Sequence, residues 1–146
     1  MKLNIDCIRD IMLYLENTLE IKYDEENYEI IKSEISCMEI IEALSIYSPE
    51  DIWYSICILS SNDYIDAVGT EEFTRDFRVT DITYTGHKFI ESIKPQPIWN
   101  KTKSIISKIG THTLKFVEDT AQKIAVEYAK SLIYVSNNAS QIGKGE

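Results

Sequence analysis

The chain has 146 residues, and few of them are of a type and spacing that would do chemistry. The histidines are His87 and His112. No HxxxH, HExxH or Cys/His cluster surrounds them, so the spacing predicts no zinc or other metal site. The cysteines are Cys7, Cys37 and Cys57. Their number is odd and no CxxC pair occurs, while Asp6-Cys7-Ile8 and Ile56-Cys57-Ile58 set two of them beside aliphatic residues. They read as buried free thiols in a reducing cytoplasm. A reactive thiol needs a base or cation beside it, and the sequence signals none. No GxxxxGK or GxGxxG loop is present to cradle a phosphate. Carboxylates abound, but Asp6 with Asp10 and Glu16 with Glu20 are simply one helical turn apart, which reads as solvated helix faces. The expectation is a protein that is not an enzyme, with no catalytic residues and no cofactor.

Charge is the stronger signal. The chain carries 24 acids and 15 bases, a formal balance of −9. Residues 1–72 hold 17 acids and 4 bases, whereas residues 73–146 hold 7 acids and 11 bases. Such asymmetry between halves suggests that they face different partners, or each other. An acidic chain is a poor default nucleic-acid binder. The opening Met1-Lys2-Leu3-Asn4-Ile5-Asp6 does not read as a signal peptide. No apolar run approaches the roughly 20 residues of a membrane-spanning helix, so no membrane partner is expected.

The elements that must position these charges follow from periodicity. Ile5, Ile8, Met12, Leu15 and Leu19 recur at helical spacing, with Asn4 as N-cap. Residues 22–27 read as a loop and Tyr28-Glu29-Ile30-Ile31 as a short strand. Ser36-Cys37-Met38-Glu39 is a capping box that opens a helix to about Leu44. Ser48-Pro49-Glu50-Asp51 is the clearest start signal in the chain: a cap, a proline in the first turn, and acids at the positive end of the helix dipole. Ile52, Trp53, Ile56 and Leu59 should face inward from that helix. Tyr64–Val68 and Val79–Tyr84 read as strands around a polar tip. A helix from about Thr85 follows and stops at Lys94-Pro95-Gln96-Pro97. Another runs from Pro97 to Ile109 and is closed by Gly110. The last spans about Thr113 to Val135, and residues 136–146 are expected to be a frayed tail.

This order predicts an α+β class, mainly helical with a small hairpin. Its core would be a winged helix-turn-helix over 1–94, followed by a helical appendage over 95–135. The join Ile82-Thr83-Tyr84-Thr85-Gly86-His87-Lys88-Phe89-Ile90 resembles the exit from the wing in many winged-helix domains, with Gly86 giving freedom at the turn. The run Met1–Ile11, Tyr47–Ile52, Asp63–Asp66, Ile82–Ile90 and Ile98–Lys103 resembles a family of small uncharacterised phage, prophage and bacterial proteins. That resemblance implies a winged-helix fold and a mobile-element origin, and no activity.

In a winged helix, the helix after the turn enters the major groove. Here it is Pro49–Ser61, which contains Glu50 and Asp51 and no Lys or Arg. DNA affinity depends on Lys and Arg neutralising phosphates, so this mode is disfavoured. If DNA were bound, Tyr54, Ser55, Arg75 and Arg78 would touch it. The favoured expectation is an acidic contact surface of Glu50, Asp51, Tyr54, Glu71 and Glu72. It would meet a protein partner, such as a host protein with a basic surface. Lys108, Lys115 and Thr111–Thr113 form a weaker candidate for phosphates. The final helix carries a wide stripe of Leu114, Val117, Ala121, Ile124 and Tyr128, expected to be a homodimer face rather than an intramolecular cover.

Overall fold

The computed structural model describes residues 2–69 and 77–144. The chain forms two compact units, Met1–Glu91 and Ser92–Glu146. The class is the expected α+β: mainly helical, with small antiparallel sheets.

The first unit opens with α1 (Ile5–Thr18), whose N-cap Asn4 accepts a hydrogen bond from the Cys7 N–H. Cys7, Ile8, Ile11, Met12 and Leu15 are buried along one face. The helix α2 (Cys37–Ala43) starts as its capping box predicts, with Ser36 Oγ accepting from the Glu39 N–H. The helix α3 (Pro49–Ser61) is capped in the same way by Ser48, which accepts from the Asp51 N–H. Both α1 and α2 pack on α3. Its buried positions are Ile52, Ser55, Ile56 and Leu59, the i, i+3, i+4, i+7 set of a helix face. Trp53, expected inside, is only half-buried, because Ser55 occupies the i+3 place in the stripe. Each fully buried aliphatic side chain here contributes about 1.5–3 kcal/mol.

Two sheets complete the unit. The strand expected near Tyr28 exists, but it does not join the main sheet. It is β2 (Glu29–Lys32), paired in a separate hairpin with β1 (Ile21–Asp24), a segment the sequence reading leaves as a loop. The strand that does join is the two-residue β3 (Ile35–Ser36). It pairs with β5 (Arg78–Ile82), which also pairs with β4 (Ile65–Val68), giving the order β3-β5-β4. Phe77, just before β5, is fully buried although it falls between the two expected strands, where a polar tip is predicted. The register sets Asp66 opposite Asp81, a like-charge pair that costs stability. Lys32 reaches across from β2 and places Nζ 2.6 Å from Asp81 Oδ2. This contact holds the base of the hairpin to the sheet and offsets the repulsion there.

The helix α4 (Tyr84–Ile93) leaves β5 through Thr83, whose Oγ1 accepts from the Gly86 N–H at 3.0 Å. Gly86 is required here, but not for the conformational freedom expected of it: its φ is not in the positive region. A Cβ at this position would lie 2.0 Å from the Tyr64 carbonyl oxygen and 2.8 Å from Ile82 Cγ2. The glycine is there to let α4 approach the backbone that leads into β4.

The second unit contains α5 (Gln96–Ile109) and α6 (Leu114–Lys144), which pack on each other. Gly110 ends α5 in the left-handed conformation at φ 82°, as its position predicts. Thr113 Oγ1 accepts from the Phe116 N–H and starts α6. This helix continues to Lys144, so residues 136–144, expected to fray, are helical. Ile98, Trp99, Thr102 and Ile106 of α5 and Leu114, Val117, Ala121 and Ile124 of α6 are buried.

Candidate interaction surfaces

The acids at the start of α3 have separate roles. Asp51 is half-buried, and its Oδ2 accepts from Asn4 Nδ2 at 3.2 Å. Since Asn4 also caps α1, Asp51 ties the starts of α1 and α3 together. Asp10 is likewise engaged, accepting a hydrogen bond from the Tyr47 hydroxyl at 2.5 Å. Burial first, and then this bond, hold the Tyr47 phenol well above its ordinary range. Glu50 is exposed and Tyr54 half-buried, so this part of the expected acidic surface is open to a partner. Glu71, Glu72 and Arg75 lie outside the described residues.

The expected DNA contacts fare differently. Ser55 is 1 % exposed, so it cannot reach a groove. Its Oγ has no hydrogen-bond partner of full geometry; it acts on the neighbouring Cys7 thiol. Arg78 is exposed, but its Nε lies 3.2 Å from Glu34 Oε2, which offsets its charge. The face of α3 that is not packed inward therefore offers no basic side chain.

Exposed acids also surround the β1–β2 hairpin. Ser33 closes its base, with Oγ accepting from the Glu20 N–H at 2.8 Å and its own N–H donating to the Glu20 carbonyl. At the tip, Asp24 Oδ2 accepts from Asn27 Nδ2 at 2.8 Å and Oδ1 from the Glu26 N–H at 2.9 Å. The side-chain bond to Asn27 is the main cause that lowers the Asp24 carboxyl below its usual range. Glu20, Glu25, Glu26 and Glu29 are exposed around this frame. So are Ile21, Tyr23 and Ile30, which the register sets on one face, with Tyr23 opposite Ile30. The signal was present in the alternation Ile21-Lys22-Tyr23-Asp24, but acids on both sides made it read as a loop.

Under the hairpin base lies a cleft of about 170 Å³ bordered by Leu15, Leu19, Ile21, Lys32, Asp81 and His87. It is smaller than the roughly 300 Å³ at which small-molecule sites begin. The Lys32 bond lowers the Asp81 carboxyl and raises the Lys32 ammonium, so the pair stays ionised across neutral pH. Burial pushes the Cys7 and Cys37 thiols up to about 11 and raises Cys57 as well. Thiols held this way are poor nucleophiles at neutral pH. Among the described residues, no group of three His, Cys, Asp or Glu side chains could hold a metal. None of the described helices is long and apolar enough to cross a membrane.

In the second unit, Lys101, Lys108, Lys115, Lys123 and Lys130 are exposed. Lys115 pairs with Asp119 at 3.1 Å, an i,i+4 bridge. Of the proposed dimer face, Leu114, Val117, Ala121 and Ile124 are covered within the chain itself. These four positions form the intramolecular cover that was the lesser expectation. Tyr128 remains 48 % exposed.

The chain is mainly helical, with small antiparallel sheets and an excess of acids in its first half. Residues 2–112 match the family described as hypothetical protein DUF2513, and the chain belongs to that family. The match takes in the first unit and α5 and ends before α6. No curated protein and no solved structure matches the chain.

Proposed function

We propose that this chain is a non-enzymatic protein of the host-cell cytoplasm that acts by binding another protein through the acidic surface of its first unit. Its partner presents a basic, nucleic-acid-binding surface, and the chain inhibits or modulates that partner by covering it. One observation carries this reading. The acids Glu25, Glu26, Glu29 and Glu50 are exposed, while α3 has no Lys or Arg and Arg78, at the start of β5, is paired with Glu34. The exposed apolar face of the hairpin would add burial to the charge attraction, as the centre of a protein interface requires. Charge of this kind speeds encounter and selects partner sign more than it sets affinity.

The test is capture from a bacterial lysate by the intact protein and by a Glu25→Lys, Glu26→Lys, Glu50→Lys variant. The reading expects basic nucleic-acid-binding proteins with the former and their loss with the latter. A winged-helix DNA-binding regulator is the second reading. The β1–β2 hairpin aside, the element order α1-β3-α2-α3-β4-β5-α4 and the sheet order β3-β5-β4 favour it. With Ser55 buried, it would rest on Tyr54, Arg75 and Arg78. A gel shift at low salt that Arg75→Ala with Arg78→Ala abolishes would establish it in place of the first.

A further inference from the structure

The two helices of the second unit differ in length. At 1.5 Å per residue, the 14 residues of α5 span about 21 Å and the 31 of α6 about 46 Å. An antiparallel or parallel α5 can flank less than half of α6. Burial along α6 stops accordingly at Ile124, and Val126, Tyr128, Leu132, Ile133 and Val135 are each 48–61 % exposed. Stepping about 100° per residue, these five fall on one half of the helix circumference. Glu127, Lys130, Tyr134, Asn137 and Asn138 fall on the other half. The overhang is thus amphipathic, and its apolar half continues the stripe that α5 covers further back.

We propose that this overhang pairs with the same segment of a second copy of the chain, antiparallel about a twofold axis near Leu132. Charge points to a second copy rather than to a partner chosen by sign. Across residues 126–139 there is one acid, Glu127, and one base, Lys130, both on the polar half. A strongly acidic or basic partner would find nothing to match there, whereas a like segment meets no repulsion. Area is sufficient. The five side chains and the neighbouring alanines expose roughly 400 Å² of apolar surface per copy, taking about 100 Å² for the half-exposed tyrosine and about 60 Å² for each aliphatic. Homodimer interfaces are about 65 % apolar, so two copies would bury about 1,200 Å² in all, the lower bound of a stable interface. Antiparallel order sets the two α5 helices at opposite ends, where parallel order would crowd them at one. The pairing is isologous, so it closes at two copies.

Sedimentation velocity of the full chain over a concentration series tests this. The expected result is a monomer–dimer equilibrium whose dissociation constant rises roughly tenfold or more when Leu132→Glu and Val135→Glu place charge in the interface. Both side chains are more than half exposed, so the helical circular dichroism of the monomer should be unchanged. Tyr134→Ser, on the polar half, should leave the equilibrium as it was. Mixing Tyr128→Cys with Ser136→Cys chains under oxidation should give the cross-linked heterodimer that a centre at Leu132 requires. A monomer throughout the series, a dimer indifferent to the two glutamates, a higher oligomer, or dominant 128–128 cross-links would each overturn the proposal.

Discussion

Replacing Gly86 with alanine separates two physical arguments that predict opposite signs. By intrinsic propensity, alanine should stabilise α4 by about 1 kcal/mol. By packing, its Cβ would sit 2.0 Å from the Tyr64 carbonyl oxygen, about 1 Å closer than real contacts allow, and the obstacle is backbone. To make room, α4 must withdraw from the segment before β4. That movement strains the Thr83 N–H bond to the Tyr64 carbonyl (3.2 Å) and the Thr83 Oγ1 bond to the Asp63 carbonyl (2.5 Å). It also disturbs the edge-to-face pair of Tyr64 and Phe89, whose ring centroids are 5.1 Å apart. Two hydrogen bonds at about 1 kcal/mol each and a ring pair at about 1 kcal/mol outweigh the propensity gain, leaving a net loss of about 2 kcal/mol. For a domain of this size, that lowers Tm by about 4–8 °C. Urea unfolding followed by tryptophan fluorescence measures it, with an unchanged slope showing that stability rather than compactness has moved. An unchanged or raised midpoint would refute the close-approach argument.

Three further outcomes are expected. Ser48→Ala removes the cap of α3 and should cost about 1 kcal/mol, with Ser48→Asp retaining most of it; equal losses in both would contradict the capping role. Cys57, half-buried, should alkylate before Cys7 and Cys37 in the native protein at mild alkaline pH, and all three should react alike in denaturant; mass spectrometry of the labelled chain reads the order. Asp81 has a folded pKa below its ordinary 3.8, so the stability from its bond to Lys32 is fully present above that value. It is lost as pH falls through the lowered one. Amide exchange at Ile31 and Lys32 should therefore quicken selectively below about pH 4, and Asp81→Asn should remove that pH dependence.

Where local chemistry decides structure, the sequence was readable. Ser48-Pro49-Glu50-Asp51 and Ser36-Cys37-Met38-Glu39 start helices because caps act over three residues, and Gly110 ends one because a left-handed residue must be there. Tertiary context decided the remainder. A two-residue strand such as β3 has no periodicity to detect and exists through its pairing with β5. The β1–β2 hairpin has no buried face, so alternation could not distinguish it from an acidic loop. Ser55 was assigned to the surface by its polarity, although the helical period gives it a core position. Gly86 stands out in the sequence, but its reason, the Tyr64 carbonyl about 22 residues earlier in the chain, is visible only in three dimensions. On the surfaces, the charge asymmetry was legible from counting. The division of α6 into a covered and an open part was not, because it depends on the length of α5.

In the proposed function, the first unit works through an acidic, protein-binding surface. The most direct measurement is quantitative mass spectrometry of proteins retained from a bacterial lysate by the intact chain, set against the Glu25→Lys, Glu26→Lys, Glu50→Lys variant at matched salt. The expected result is a basic nucleic-acid-binding partner, released by added salt and depleted at least roughly tenfold by the charge reversal. Retention that the reversal leaves unchanged, or a partner without a basic surface, would contradict it.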